Sequence, residues 1–133
     1  MSTRLAQCTC GQLQASCSGP PLRVSVCHCL ACKRATGSAF NYGGHWRERS
    51  VTVEGTASSY TRIGGDGGRI TNHFCPVCGA TVWIRNSNLP EIISIRAGTF
   101  ADVNFPPPQV SVYHDSRKHS WIELPSVPLE KRG

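Results

Sequence analysis

The chain has 133 residues, 39% of them hydrophobic and 17% charged, which is the composition of one folded domain and excludes a disordered chain. Its formal net charge is +6, yet its lysines and arginines are scattered, and this pattern disfavours a nucleic-acid-binding protein. No apolar stretch approaches the roughly 20 residues of a membrane-spanning helix, and the first residues lack the apolar run of a signal peptide. We therefore expect a cytoplasmic protein with reduced thiols and no membrane partner.

Short runs rich in Val, Ile, Thr and Ser, separated by many of the 13 glycines and 9 prolines, predict an all-β fold. We assign residues 1–124 to a single domain and expect residues 125–133 to form a loose C-terminal tail. The predicted strands are residues 4–8, 12–17, 22–26, 39–46, 51–54, 58–63, 80–85, 92–97, 110–113 and 121–124.

Local signals suggest how these strands are connected. Residues 29–35 predict one or two helical turns that end at Gly37. Strands 51–54 and 58–63 are close in sequence and are expected to form a hairpin. The glycine-rich run at residues 64–68 lacks the Lys-Ser/Thr of a phosphate-binding loop, so it predicts a turn.

The eight cysteines need an explanation other than disulfides, and their spacing is typical of metal sites. Cys8-x-Cys10 and Cys75-x-x-Cys78 are each followed by glycine, which can take the positive φ of a metal knuckle. Two such pairs supply four thiolates, the usual donor set of a structural zinc. Because the pairs are far apart in sequence, this metal would join an early turn to a late hairpin.

Cys27, Cys29 and Cys32 form a second, shorter cluster. A structural zinc fills all four positions with protein ligands, whereas a catalytic zinc keeps one for water or substrate. We interpret the cluster as an open three-thiolate zinc site, with closure by a histidine as the alternative. His28 lies between two ligands and is expected to point elsewhere, and Cys17 is expected to be a buried apolar residue. The candidates for a fourth ligand are His45, His73, His114 and His119.

An open thiolate-rich zinc favours soft ligands, so its natural fourth ligand is a thiol bound as the thiolate. The expected chemistry is attack of that thiolate on an electrophile, or the reverse cleavage of a carbon–sulfur bond. A thiol that carries carboxylates would need cations nearby. Arg23, Lys33 and Arg34 flank the cluster and are candidates for this role.

The order of the motifs along the chain is more specific than any one of them. Cys8-x-Cys10-Gly is followed by Cys27-His-Cys29-x-x-Cys32-Lys-Arg-Ala-Thr-Gly, and then by Phe-Cys-x-x-Cys-Gly, which ends at Gly79. Arg96-Ala-Gly-Thr-Phe comes later. Over about residues 6–124, the chain resembles the glutathione-dependent formaldehyde-activating enzyme family, which also includes centromere protein V.

The resemblance implies a fold of several coiled antiparallel β-sheets, of the type shared with a zinc-containing chaperone of Rab GTPases. It implies carbon–sulfur lyase chemistry, in which glutathione and formaldehyde are in equilibrium with S-hydroxymethylglutathione. It also implies two Zn²⁺ ions. The structural zinc would be held by Cys8, Cys10, Cys75 and Cys78, and the catalytic zinc by Cys27, Cys29 and Cys32.

Three hypotheses follow for the function. The first is a zinc-dependent carbon–sulfur lyase that acts on a thiol adduct of a small carbonyl, with glutathione as the expected thiol. The second is a non-catalytic module with two structural zinc ions that binds a protein or chromatin partner. The third is a redox protein with a reversible disulfide and no metal.

Overall fold

The computed structural model describes residues 2–113, 115, 117–124 and 129–130, the last two in their backbone only. No helix in these ranges is long and apolar enough to span a membrane. The fold is mostly β, as predicted. The described strands are β1 (Thr3–Gln7), β2 (Gln14–Ser18), β3 (Arg23–Cys27), β4 (Asn41–Arg47), β5 (Val51–Glu54), β6 (Ser58–Ile63), β7 (Arg69–Phe74), β8 (Thr81–Asn86), β9 (Ile92–Arg96), β10 (Val110–Val112) and β11 (Leu129–Glu130), and the α-helix is α1 (Leu30–Thr36).

The strands form two sheets. The smaller has the order β1-β2-β5 and is antiparallel. The larger has the order β11-β10-β3-β4-β9-β8-β7-β6. Its pairs are antiparallel except for those of β10, which runs parallel to both β3 and β11. The larger sheet is therefore mixed, whereas the sequence predicted antiparallel sheets.

The predicted hairpin of strands 51–54 and 58–63 is wrong, because its two strands belong to different sheets. β5 pairs with β2, and β6 pairs with β7. The chain turns away at Gly55, whose φ of 99° favours glycine. The Gln12 side chain holds the next residue, since its Oε1 accepts from the Thr56 amide at 2.9 Å and its Nε2 donates to the Thr56 carbonyl at 2.8 Å.

The predicted strand at residues 121–124 is also wrong. These residues form a turn and an irregular segment, in which the Ile122 amide donates to the His119 carbonyl at 3.1 Å. Ile122 is buried while Trp121 is 73% exposed. The apolar and polar residues that suggested a strand therefore belong to a turn that buries the Ile122 side chain. The expected loose tail lies mostly outside the described residues, but Leu129–Glu130 pairs with β10.

Strand alternation separates the core from a polar face. Along β9, Ile93 and Ile95 are buried in the core, whereas Ser94 between them lies on the opposite face of the sheet. On β4, Trp46 is in the core and the neighbouring His45 is on the polar face. The polar face forms the floor of a cavity, and the core side is covered by the smaller sheet.

The larger sheet curls around this cavity. Arg62 of β6 and Cys27 of β3 both line it, although five strand steps separate β3 from β6. In a flat sheet, five steps of about 4.8 Å would place these strands about 24 Å apart. Curling therefore brings an edge strand towards the cysteine cluster at the end of β3.

Candidate metal centres and the adjoining cavity

The structure brings together the four cysteines of the two glycine-containing pairs. The Sγ atoms of Cys8, Cys10, Cys75 and Cys78 all lie within 4.8 Å of one another. The Cys8 and Cys10 sulfurs are 3.6 Å apart, and those of Cys10 and Cys75 are 3.7 Å apart. A tetrahedral zinc with Zn–S bonds of about 2.3 Å requires sulfurs about 3.8 Å apart. The donor set therefore fits a zinc ion.

Both pairs have the backbone of a metal knuckle. Gly11 has a φ of 84° and Gly79 a φ of 82°, so each second cysteine is followed by the left-handed residue that its glycine predicts. The turn also directs amide groups towards sulfur, since the Val77 amide lies 3.4 Å from the Cys75 Sγ. Such N–H groups stabilise a thiolate.

Gln12 contacts one of the four sulfurs and was not identified in the sequence analysis. Its Nε2 donates to the Cys75 Sγ at 2.9 Å, and the same side chain bonds both backbone groups of Thr56. Gln12 thus joins the first knuckle, the second knuckle and the loop after β5. Its position directly after the Cys8-x-Cys10-Gly motif is the only sequence signal for this role.

The second cluster forms where β3 ends and α1 begins. Cys27 ends the strand, Cys29 is the N-cap of the helix, and Cys32 lies in the first turn. Their Sγ atoms lie within 4.8 Å of one another, and the Cys32 amide donates to the Cys29 Sγ at 3.2 Å. The helix ends at Gly37, which has a φ of 65°, as the sequence predicted. This set can also hold a metal ion.

The three thiols of this cluster are electrostatically coupled. Hydrogen bonds from the Cys27 and Cys32 thiols lower the pKa of Cys29 to about 2, with a smaller contribution from the charge of Arg62. The hydrogen bond to Cys27 and then that to Cys29 raise the pKa of Cys32. The cluster therefore favours a thiolate at Cys29, the form of cysteine that binds a soft metal ion.

His28 points away from the cluster, as its position between two ligands predicted. The ring is buried, its Nε2 lies 2.9 Å from the Ser111 Oγ, and its centroid is 5.9 Å from that of Phe40. The side chain therefore ties the start of the cluster to β10 instead of serving as a ligand.

The other candidate histidines do not join the cluster within the part of the chain that the structure describes. No described His, Cys, Asp or Glu places a fourth ligand atom among the three sulfurs. His73 stacks on Trp83, with ring centroids 5.0 Å apart. His119 packs near Trp121, and His45 bonds to two serines described below. His114 lies outside the described residues.

The three-cysteine cluster lies at a cavity of about 530 Å³, whereas the four-cysteine cluster does not line it. This volume is in the usual range for a small-molecule site. The exposed lining surface is mostly apolar, and the charged lining residues are mainly basic. The arginines that line the cavity are Arg23, Arg62, Arg85, Arg96 and Arg117.

The cavity has one acidic lining residue among those described, and that residue already has partners. The Asp66 carboxylate accepts from the Asn86 side chain and from the Gly68 amide, each at 2.9 Å. The hydrogen bond from Asn86 and then that from Gly68 lower the pKa of Asp66. The balance of charge in the cavity therefore favours an anionic ligand.

His45 lies on the cavity floor between two hydroxyl groups. Its Nε2 is 3.0 Å from the Ser25 Oγ, and its Nδ1 is 2.7 Å from the Ser94 Oγ. Burial and, to a smaller extent, the charge of Arg23 lower the pKa of His45 to about 4. The imidazole is therefore neutral near pH 7, so one serine donates to it and the other accepts from it.

The three cations predicted from the sequence have different positions. Arg23 lines the cavity, whereas Arg34 is exposed and does not. The Lys33 ammonium donates to the Arg117 carbonyl. The sequence analysis missed Arg62 and Arg96, because both lie in strands far from the cysteine motifs.

Arg96 is the most buried of the lining arginines. It is 9% exposed, and its Nη1 donates to the Asn41 Oδ1 at 2.8 Å. Asn41 is the β4 partner of Cys27, so this bond directs the guanidinium to the cluster end of the cavity. Burial lowers the pKa of Arg96.

Comparisons with known proteins agree with this arrangement. Residues 3–116 match the family model described as glutathione-dependent formaldehyde-activating enzyme. No curated protein matches the chain. A crystal structure of a Rhodobacter sphaeroides protein is similar in fold, with a TM-score of 0.57 and 20% identity over 75% of this chain and 90% of that chain. Because the family model covers most of the sequence, the chain belongs to the glutathione-dependent formaldehyde-activating enzyme family.

Proposed function

We propose that this protein is a zinc-dependent carbon–sulfur lyase. Its substrate would be the adduct of a thiol, glutathione or a related compound, with a small carbonyl such as formaldehyde. We assign a structural zinc to the four-cysteine cluster and a catalytic zinc to the three-cysteine cluster. The proposed ligands are Cys8, Cys10, Cys75 and Cys78 for the first, and Cys27, Cys29 and Cys32 for the second.

One observation carries the proposal: the cluster with three sulfurs opens on the cavity, and the cluster with four does not. A closed donor set suits a structural ion, and an incomplete set beside a ligand-sized space suits a catalytic one. Family membership supplies the independent support for a glutathione-type thiol and a formaldehyde-type carbonyl.

When bound to three thiolates, zinc would supply a site for a fourth, substrate thiolate and would lower the pKa of that thiol. The protein's own residues would do the rest. Cys29 at the helix N-cap and Cys27 at the strand end fix the sulfur positions on two regular elements. The apolar part of the lining would reduce contact of the adduct with water, and the net positive charge of the cavity would attract an anionic thiol.

The balanced reaction is the conversion of R–S–CH₂OH into R–SH and CH₂O. In the direction of cleavage, the electron pair of the C–S bond leaves with sulfur. The hydroxyl group loses its proton as the C=O bond forms, and the departing thiolate takes up one proton overall. A site that stabilises the thiolate therefore favours the bond-breaking step.

A non-catalytic module with two structural zinc ions is the alternative. It requires a fourth protein ligand on the second zinc, and His114 is the remaining histidine candidate because it lies outside the described residues. This alternative predicts no response of the second site to thiols. A redox dithiol protein, in contrast, would be excluded by two zinc ions per purified chain.

The test uses protein in which Co²⁺ replaces zinc, because cobalt–thiolate absorption reports the ligands of each site. We expect glutathione to change the absorption in the wild type and in Cys17→Ala but not in Cys32→Ser. We also expect the wild type to accelerate exchange between formaldehyde and S-hydroxymethylglutathione, measured by NMR. An unchanged spectrum with every thiol tested would reject the lyase assignment.

A further inference from the structure

We propose that Arg62 and Arg96 form a carboxylate-binding pair beside the three-cysteine cluster, so that the protein selects thiols with a carboxylate close to the sulfur. This inference rests on the proposed function, since it concerns the ligand of the same cavity. It adds the residues that would distinguish an acidic thiol from a neutral one.

The first observation is an unused donor on Arg96. Its Nη1 bonds Asn41, but its Nε is buried and has no hydrogen-bond partner among the described residues. A buried donor without an acceptor is costly, so its persistence indicates that a ligand supplies the oxygen. Nε lies on the edge of the guanidinium that binds a carboxylate through two parallel hydrogen bonds.

The second observation is the position of Arg62. It is half-buried on β6, and the hydrogen bond that its guanidinium makes among the described residues is a long one, 3.5 Å to the Ile63 carbonyl. Its charge acts on both Cys29 and Arg96. Two like charges therefore approach each other at the cysteine cluster, and a further anion between them would reduce their repulsion.

The third observation is that no carboxylate forms an ion pair with either arginine in the described part of the chain. Arg85 in the same cavity has such a partner, because its Nη2 lies 3.1 Å from the Glu48 carboxylate. Arg62 and Arg96 have none among the described residues, and the acid that lines the cavity, Asp66, is bonded to Asn86. The pair is therefore available to an external carboxylate.

Strand register and one hydrogen bond place the Arg96 guanidinium near the cysteine cluster. Cys27 is opposite Asn41 on β4, and Arg96 is opposite Gly43. These positions are two residues apart along β4, and β3 and β9 flank β4 on opposite sides, so the Cα atoms of Cys27 and Arg96 are about 12 Å apart. The Arg96 side chain spans part of this distance, because its Nη1 bonds Asn41 beside Cys27, and Gly43 has no side chain to fill the space. A ligand whose thiol and carboxylate are separated by a few carbon atoms would therefore suit the site.

The test compares mercaptopropionate with its uncharged amide, mercaptopropionamide, on the zinc-loaded protein by titration calorimetry. We expect the wild type to bind the acid at least about tenfold more tightly than the amide, as for other hydrogen bonds to charged groups. Arg96→Gln and Arg62→Gln should each remove most of that preference. Because Arg62 is half-buried on an edge strand, its variant provides a test even if Arg96→Gln unfolds.

Two control variants sharpen the comparison. Arg85→Gln removes the same charge from the same cavity, but its guanidinium already has a carboxylate partner, so it should keep most of the preference. Arg49→Gln removes an exposed charge outside the cavity and should keep all of it. Zinc content and thermal unfolding of each variant show whether both metal sites remain intact.

Three results would overturn the inference. If the acid and the amide bind equally to the wild type, or if Arg96→Gln weakens both thiols by the same factor, the arginines only balance the charge of the cluster. If neither thiol binds to the zinc-loaded wild type, the inference fails, and the proposed lyase function fails with it only when glutathione does not bind either. Binding of propionate that Arg96→Gln abolishes would support the anion site independently of any thiol.

Discussion

The hydroxyl of Tyr113 occupies the space that a Cβ on Gly65 would need. Gly65 follows β6 and Tyr113 follows β10, which are six strand steps apart in the sheet. A flat sheet would separate them by about 29 Å. Their contact therefore marks the place where the two ends of the curled sheet meet, and both residues line the cavity. Tyr113 has a φ of 53°, which is rare for a large side chain and common at functional sites.

We predict that Gly65→Ala displaces Tyr113 and lowers the free energy of unfolding by about 1 kcal/mol, the lower end of the range for overpacking, because a tyrosine hydroxyl can move. In a Tyr113→Phe background, Gly65→Ala should lower the free energy of unfolding by a smaller amount, since the phenyl ring lacks the colliding oxygen. Urea unfolding of the four proteins in this cycle measures the coupling. Gly98→Ala serves as the control, because nothing lies within 4 Å of its Cβ position. Costs that are equal in both backgrounds would contradict the contact.

Gln12→Leu should weaken zinc binding at the four-cysteine cluster by about 10- to 100-fold, the usual effect of losing a hydrogen bond to a metal ligand. The substitution removes the donor to the Cys75 Sγ and keeps a side chain of similar size. Competition with a chromophoric chelator measures the affinity. Gln14→Leu is the matched control. The Gln14 side-chain amide donates to the Gly11 carbonyl of the same knuckle at 2.9 Å and does not bond a sulfur. Equal losses in the two variants would assign the effect to the knuckle backbone.

The two cysteine clusters should differ in their contribution to stability. Cys75→Ser is expected to unfold or aggregate the protein, because a structural zinc supplies roughly 10 kcal/mol or more of folding free energy in a small domain. Cys32→Ser should retain the fold and lose the second metal ion. Zinc analysis and circular dichroism of both variants check this, with Cys17→Ala expected to keep two zinc ions. Equal damage from the first two changes would refute the division into structural and catalytic sites.

His45 should titrate near pH 4, well below its ordinary value of about 6.5, because its buried charged form is disfavoured. Between these values the unfolded chain binds a proton that the folded chain does not. The free energy of unfolding therefore rises with pH across this window, by at most about 3 kcal/mol, and the effect is complete above about pH 6.5. NMR titration of the imidazole measures the midpoint directly.

A variant separates this effect from the protonation of the cysteines in the same pH range. His45→Gln can keep the hydrogen bonds to Ser25 and Ser94 but cannot take up a proton. Its unfolding free energy should therefore fall less than that of the wild type between pH 6.5 and pH 4. Parallel curves for the two proteins would show that His45 does not contribute.

The sequence by itself determined the two cysteine knuckles and the three-cysteine cluster, because the geometry within each of them is local. A strand end, an N-cap and the first helical turn bring Cys27, Cys29 and Cys32 together within six residues, and Gly37 ends the helix as its position indicates. In the same way, Gly11 and Gly79 identify the two knuckles from their positions alone. Most strands were also visible, since alternation and turn residues are short-range signals.

Only the tertiary structure decided which strands pair and what surrounds the cluster. The partner of β5 depends on Gln12 and Thr56, which are distant in sequence, and no local pattern contains that contact. Arg62 and Arg96 reach the cysteines because the larger sheet curls, and this curvature accumulates over many paired strands, each twisted relative to the next. Sequence spacing can predict a set of cysteines that lie within one turn. The charged side chains around that set come from distant strands, and the order of the strands along the chain does not specify how they pair.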